Sequence, residues 1–236
     1  MEPKGAIGRQ TANMRSAPVN LRDLLRLYLV TDQMSLRGRS LTDVVRAGVQ
    51  GGVTCVQLRE KDLSTRDFVA LALAVKDLLQ PLGVPLVIND RLDVALVCGA
   101  QGVHLGQSDM PVALARRLLP PDMFIGLSVE TPDQVAQAQG QAVDYLGISP
   151  VYATATKLDA AAPWGLSGLR QVRGMTDLPL VAIGGIHQGN AGEVLAAGAD
   201  GLAVVSAICS AADPCAAARA FSGFFSLPSQ SDRQFL

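Results

Sequence analysis

Neither sign of charge dominates this chain: Lys and Arg total 20, Asp and Glu 21, and the formal net charge is -1. The balance gives no electrostatic reason to expect nucleic acid or an anionic membrane as partner, so any anion site must be local. No charge-free run is long enough to span a bilayer, and the N-terminal stretch has no continuous apolar segment of the kind that opens a secretory signal. The four cysteines, Cys55, Cys98, Cys209 and Cys215, lack the close paired spacing of a metal site and read as free thiols in a reducing cytosol. Only two histidines occur. No Ser-His-Asp or Cys-His arrangement is spelled out, which leaves chemistry by positioning and charge stabilisation rather than by an enzyme nucleophile.

What is present is an aliphatic core: 236 residues, 49% hydrophobic but only 4% aromatic, the size of one cytoplasmic domain of barrel dimensions. Residues 1–20 and 227–236 are polar and irregular and are expected to be flexible extensions of a domain over 21–226. Between them, short continuous apolar runs alternate with amphipathic stretches. The runs are Leu27 to Thr31, Val53 to Leu58, Pro85 to Ile88, Gly102 to Leu105, Phe124 to Leu127, Tyr145 to Ile148, Pro179 to Ile183 and Gly201 to Val205. Runs of this kind suit strands buried on both faces of a parallel sheet. Hydroxyl caps at Ser40, Ser64 and Thr131 open helices, and further helices are expected over 92–97, from Pro111, and over 168–175, 190–197 and 213–225. Eight strand and helix pairs in this order predict an α/β fold, a single (β/α)8 TIM barrel.

In such a barrel the functional groups follow the strands, at the C-terminal mouth. The second strand leaves its apolar part as Gln57-Leu58-Arg59-Glu60-Lys61. Residues two apart share a strand face, so Gln57, Arg59 and Lys61 form a polar ladder suited to a diphosphate; a solvated strand end is the alternative. Asn89 and Asp90 follow strand three, Asp109 strand four, Ser128 strand five, and Thr154, Thr156 and Lys157 strand six. The loop from Val151 to Trp164 is long for a compact domain, and so either functional or disordered. Asp90 and Asp109 offer two hard oxygen ligands of the kind that hold Mg2+ against a substrate's phosphates, unless each merely caps the helix that follows. Gly184-Gly185 and Val205-Ser206 occupy the two loops where barrels often bind phosphate through backbone N–H groups. Two anion sites imply two phosphorylated small-molecule substrates. His104, inside an apolar strand, reads as a core or supporting histidine rather than a base, and His187 as solvent exposed.

QLREK, IND, GVHLGQSD, IGLSVE, TATK, AIGGI and VVSAI, in that order, resemble thiamine phosphate synthase over roughly residues 27 to 225. The resemblance implies a transferase that joins 4-amino-2-methyl-5-pyrimidinylmethyl diphosphate to a thiazole ethyl phosphate, releasing diphosphate. It implies a pyrimidine diphosphate site at Gln57, Leu58, Arg59, Glu60, Lys61, Asn89, Ser128 and Lys157, with Arg59, Lys61, Ser128 and Lys157 acting on the leaving group. It implies one Mg2+ at Asp90 and Asp109, and a thiazole phosphate site at Thr154, Thr156, Gly184, Gly185, Val205 and Ser206. A related thiazole tautomerase would have no need of the Gln-Arg-Lys ladder, and a non-catalytic binding paralogue no need of the aspartate pair. A homo-oligomer stays open, and so does whether the thiazole carries its carboxylate.

Overall fold

The first strand, β1 (Leu27–Val30), sets a pattern that every strand repeats. Leu27 and Leu29 enter one apolar cluster with the helices, whereas Tyr28 and Val30 enter a second, smaller one. The two clusters are the outside and the inside of a closed sheet, because successive side chains of a strand point to opposite faces. The computed structural model describes residues 20–154 and 162–226 of the chain. In it, β1, β2 (Cys55–Leu58), β3 (Leu86–Asn89), β4 (Gly102–Leu105), β5 (Phe124–Val129), β6 (Tyr145–Ile148), β7 (Leu180–Ile183) and β8 (Gly201–Val204) form one barrel closed in sequence order. All neighbouring strands are parallel, and β8 closes on β1 through Leu27 opposite Leu202.

The connecting helices start where the sequence supplies caps. Ser40 accepts from the Asp43 N–H to open α2 (Leu41–Gln50), Ser64 from Asp67 to open α3 (Thr65–Leu79), and Thr131 from Gln134 to open the helix Pro132–Ala138. Each hydroxyl satisfies one of the N–H groups a helix start leaves over. Below the barrel, α1 (Leu21–Leu24) leads into Leu25, which is fully buried in the inner cluster and closes the end opposite the mouth.

Several boundaries differ from the sequence expectations. The fifth strand runs on through Ser128 to Val129, since its residues keep pairing with β6, Ser128 opposite Gly147. The helix expected from Gly168 begins at Gly165. The last helix ends at Ser222 and tightens into a 3-10 turn over Gly223–Phe225. A short helix, Ser206–Cys209, follows β8 unannounced by any cap side chain. Of the expected flexible segments, 1–20 and 227–236, all but Asn20 lie outside the described residues, as do Thr156 and Lys157; Asn20 caps α1.

Candidate active site

Inward alternation brings one polar side chain to the top of most strands, and these line a single cavity of about 410 Å3 at the C-terminal mouth. Gln57, Arg59, Lys61, Asn89, Asp90, Asp109, Ser128, Thr154, Gly184, Gly185, Val205 and Ser206 all border it. Leu58 does not: it is fully buried on the helix side of the barrel, as alternation with Gln57 and Arg59 requires, and can meet a ligand only with its backbone. Glu60 also stands off the cavity, accepting a hydrogen bond from Gln33 Nε2 at 3.0 Å; partial burial raises its pKa, that hydrogen bond opposing. His187 is exposed, as expected, and its Nδ1 accepts from the Gly189 N–H.

The second strand's exit is held by Thr31, whose Oγ1 accepts from the Arg59 N–H at 3.1 Å while its own N–H donates to the Gln57 carbonyl at 2.9 Å. Beyond that clamp, Lys61 Nζ reaches Asp90 Oδ2 at 3.1 Å. Asp90 sits at φ 62°, a left-handed conformation uncommon outside glycine, asparagine and aspartate; its N–H donates to the His104 carbonyl at 2.9 Å, which holds the turn. Asp109 Oδ2 accepts from the Gly106 N–H at 2.7 Å. Burial raises the Asp109 pKa, and the Asp90 carboxyl beside it pushes the same way, whereas the Gly106 bond and Lys61 oppose. Two carboxylates that repel each other beside a lysine suit a hard divalent cation. Among the described residues no cluster of three or more His, Cys, Asp or Glu converges on a point, so such an ion would take its remaining ligands from water and substrate oxygens, the usual habit of Mg2+.

Across the mouth, Gly184 and Gly185 adopt φ of 99° and 64°. A side chain at either would be strained, and a Cβ there would run into Pro150 or Tyr152. The segment after β6 packs directly on the pair: the Val151 N–H donates to the Ile183 carbonyl and the Tyr152 N–H to the Gly184 carbonyl, at 2.8 and 3.1 Å. This docking carries Thr154 to the cavity rim, facing the same space as Ser206.

Sequence reasoning named Gln57, His104 and Ser128 but missed the two tyrosines that join them across the floor of the cavity. Gln57 Nε2 donates to Tyr28 OH at 3.0 Å; Tyr28 OH lies 2.8 Å from Tyr145 OH, Tyr145 OH 2.8 Å from His104 Nδ1, and His104 Nε2 2.8 Å from Ser128 Oγ. Burial pushes the His104 pKa down to about 4, against a smaller upward pull from Asp109, so the ring is neutral in the folded protein. Gln107 Nε2 donates to the Ser128 carbonyl at 2.6 Å and fixes the main chain there. Glu130 and Ser149 also line the cavity. The signal that could have found the tyrosines is parity: each occupies an inward position of an otherwise aliphatic strand.

Comparison with known proteins gives the family. A family model described as thiamine monophosphate synthase matches residues 27–208. The chain is 73% identical over 194 residues to a thiamine-phosphate synthase of Albidiferax ferrireducens, covering 82% of this chain and 89% of that protein. It is 54% identical, over the same shares, to one of Chloroflexus aurantiacus. The solved thiamine phosphate pyrophosphorylase of Pyrococcus furiosus superposes with a TM-score of 0.81 at 36% identity, covering 88% of this chain and 98% of that one.

Proposed function

Since the chain belongs to the thiamine monophosphate synthase family and is a transferase of that kind, we propose that its barrel mouth joins a pyrimidinylmethyl diphosphate to a thiazole ethyl phosphate. The products are thiamine phosphate and diphosphate. One observation carries the assignment of parts: a single cavity holds a cationic and carboxylate-rich side, from Gln57 to Asp109, and a separate glycine and hydroxyl side at Gly184, Gly185 and Ser206. The first suits a diphosphate with a metal and the second a monoester phosphate. The two reacting ends would then meet between them.

Among the described residues the cavity offers no activated nucleophile, because neutral His104 is already engaged with Ser128 and Tyr145 at the floor. The thiazole nitrogen is then the attacking atom, and the bond from the pyrimidine CH2 to the diphosphate oxygen breaks toward a cation because the ring's amino group can donate electron density to that carbon. The thiazole nitrogen captures that carbon. Arg59, Lys61 and the Ser128 hydroxyl stabilise charge as it gathers on the departing diphosphate, with Lys157 a fourth candidate by sequence. A Mg2+ held by Asp90 and Asp109 would supply further neutralisation of the diphosphate.

Purified protein incubated with both substrates and Mg2+ should release thiamine phosphate and diphosphate in equal amounts. Isomerisation of the thiazole substrate without any pyrimidine substrate, or binding without turnover, would contradict the assignment.

A further inference from the structure

The five polar groups on the cavity floor form one unbroken series, and Gln57 sets its direction. Gln57 Nε2 can only donate, so the Tyr28 oxygen accepts from it. The Tyr28 hydroxyl proton is then directed to Tyr145, 2.8 Å away, and the Tyr145 proton to His104 Nδ1. With Nδ1 accepting, the neutral ring carries its proton on Nε2 and donates it to Ser128 Oγ. We propose that Tyr28, Tyr145 and His104 are positioning residues: a one-way hydrogen-bond chain that turns the Ser128 hydroxyl proton and the Gln57 amide oxygen toward the bound substrate.

The strands are built around this chain. A Cβ at Gly126 would overlap the Tyr145 phenol, and one at Gly147 would come within 3.0 Å of the His104 ring carbon Cε1. Glycine inside a strand costs stability and marks a place where something approaches the backbone closely; here it is the chain's two central rings. Tyr28 and Tyr145 are 1% and 0% exposed, so water cannot relieve a bond directed against the rest of the series, and all of its members run the way that Gln57 Nε2 starts them. The direction has a chemical consequence. A histidine whose Nε2–H points at a serine oxygen cannot take that serine's proton, so Ser128 is an obligate donor toward the cavity, suited to the oxygen of a leaving group. At the other end, the Gln57 amide oxygen is left to accept, for example from an amino group on the ring of the same substrate. The inference rests on the proposed function for the identity of that substrate, but not for the direction of the chain.

Two measurements separate these layers. The chain contains only two histidines, so 15N spectra of the imidazoles are readily assigned with a His187→Gln control. In the free wild-type protein near neutral pH, His104 should be the pure Nε2–H tautomer. Tyr145→Phe, and independently Tyr28→Phe should the first variant fold poorly, should admit the Nδ1–H form, since the constraint that excludes it is gone. A wild-type Nδ1–H tautomer, or a tautomer unmoved in both variants, overturns the proposal. In single-turnover assays Tyr145→Phe should slow the chemical step about tenfold, the worth of one hydrogen bond, with the KM for the thiazole phosphate unchanged. Added to Ser128→Ala it should cost nothing further; losses that multiply would show that Tyr145 does not act through Ser128. Absence of product from wild-type protein would refute the proposed activity instead, leaving the tautomer result to stand or fall on its own.

Discussion

Lys61 Nζ lies 3.1 Å from Asp90 Oδ2, so a cation assigned to a substrate's diphosphate rests against a carboxylate assigned to its metal. The pair is half exposed and contributes little to stability in that state. Its weight lies in the proposed reaction, in which Asp90 would serve the metal ion and Lys61 the diphosphate oxygens, so that neither charge would be left alone. Asp90→Asn, which keeps a residue tolerant of the left-handed φ at that position, or Asp109→Ala should therefore lower kcat by at least about 100-fold, the scale on which preorganised charge stabilisation acts, with thermal unfolding little changed. Full turnover by either variant, or by the wild type in excess chelator, would refute the metal assignment.

The two sides of the cavity should separate kinetically. Arg59→Ala should weaken handling of the pyrimidine diphosphate, whereas Ser206→Ala should raise the KM for the thiazole phosphate by about tenfold or more, the value of a hydrogen bond to a charged group. Initial rates with each substrate varied in turn distinguish them. A Ser206→Ala effect confined to the pyrimidine substrate would reverse the assignment.

His104 makes folding sensitive to acid. Its pKa is about 4 in the folded protein, lowered chiefly by burial from the ordinary 6.5 that applies to the unfolded chain. Between those values the unfolded chain binds more protons, so this contribution is complete above about pH 6.5, falls as pH is lowered toward 4, and then levels off. It amounts to about 3 kcal/mol. Chemical denaturation from pH 7 to 4 should show that loss in the wild type and a shallower one in His104→Asn; parallel profiles would contradict the burial of a neutral ring.

Gly126→Ala should destabilise the fold by about 1–3 kcal/mol, because the new methyl overlaps Tyr145 in a packed interior. Gly174→Ala is the control: it lies in a helix with nothing within 4 Å of an added Cβ, and should stabilise by up to about 1 kcal/mol. Denaturant midpoints compare the two directly.

How much of this could be read from the chain varies with the range of the interactions. The strands are legible because each is a buried apolar run with its own punctuation, and the ladder Gln57, Arg59, Lys61 because strand parity is local. Parity also tells against Leu58, whose place between Gln57 and Arg59 already turns it to the helices. The extension of β5 through Ser128 is not legible, since it depends on pairing with β6. Nor is the linkage of the cavity floor: parity can turn Tyr28 and Tyr145 inward, but they are 117 residues apart and nothing local pairs them. Only closure of the barrel brings them together. The short helix Ser206–Cys209 lacks a cap side chain and leaves no local mark.

The central claim of the proposed function is that diphosphate departs first and leaves a pyrimidine cation, the protein stabilising the charge without a covalent bond to itself. Rapid-quench single turnover with a pyrimidine substrate whose methyl group is replaced by trifluoromethyl tests it most directly, since that group withdraws electron density from the ring as the cation forms. The chemical step should slow by several powers of ten with little loss of binding, because each ~1.4 kcal/mol of lost cation stabilisation is a factor of ten. A rate indifferent to the substituent would contradict it.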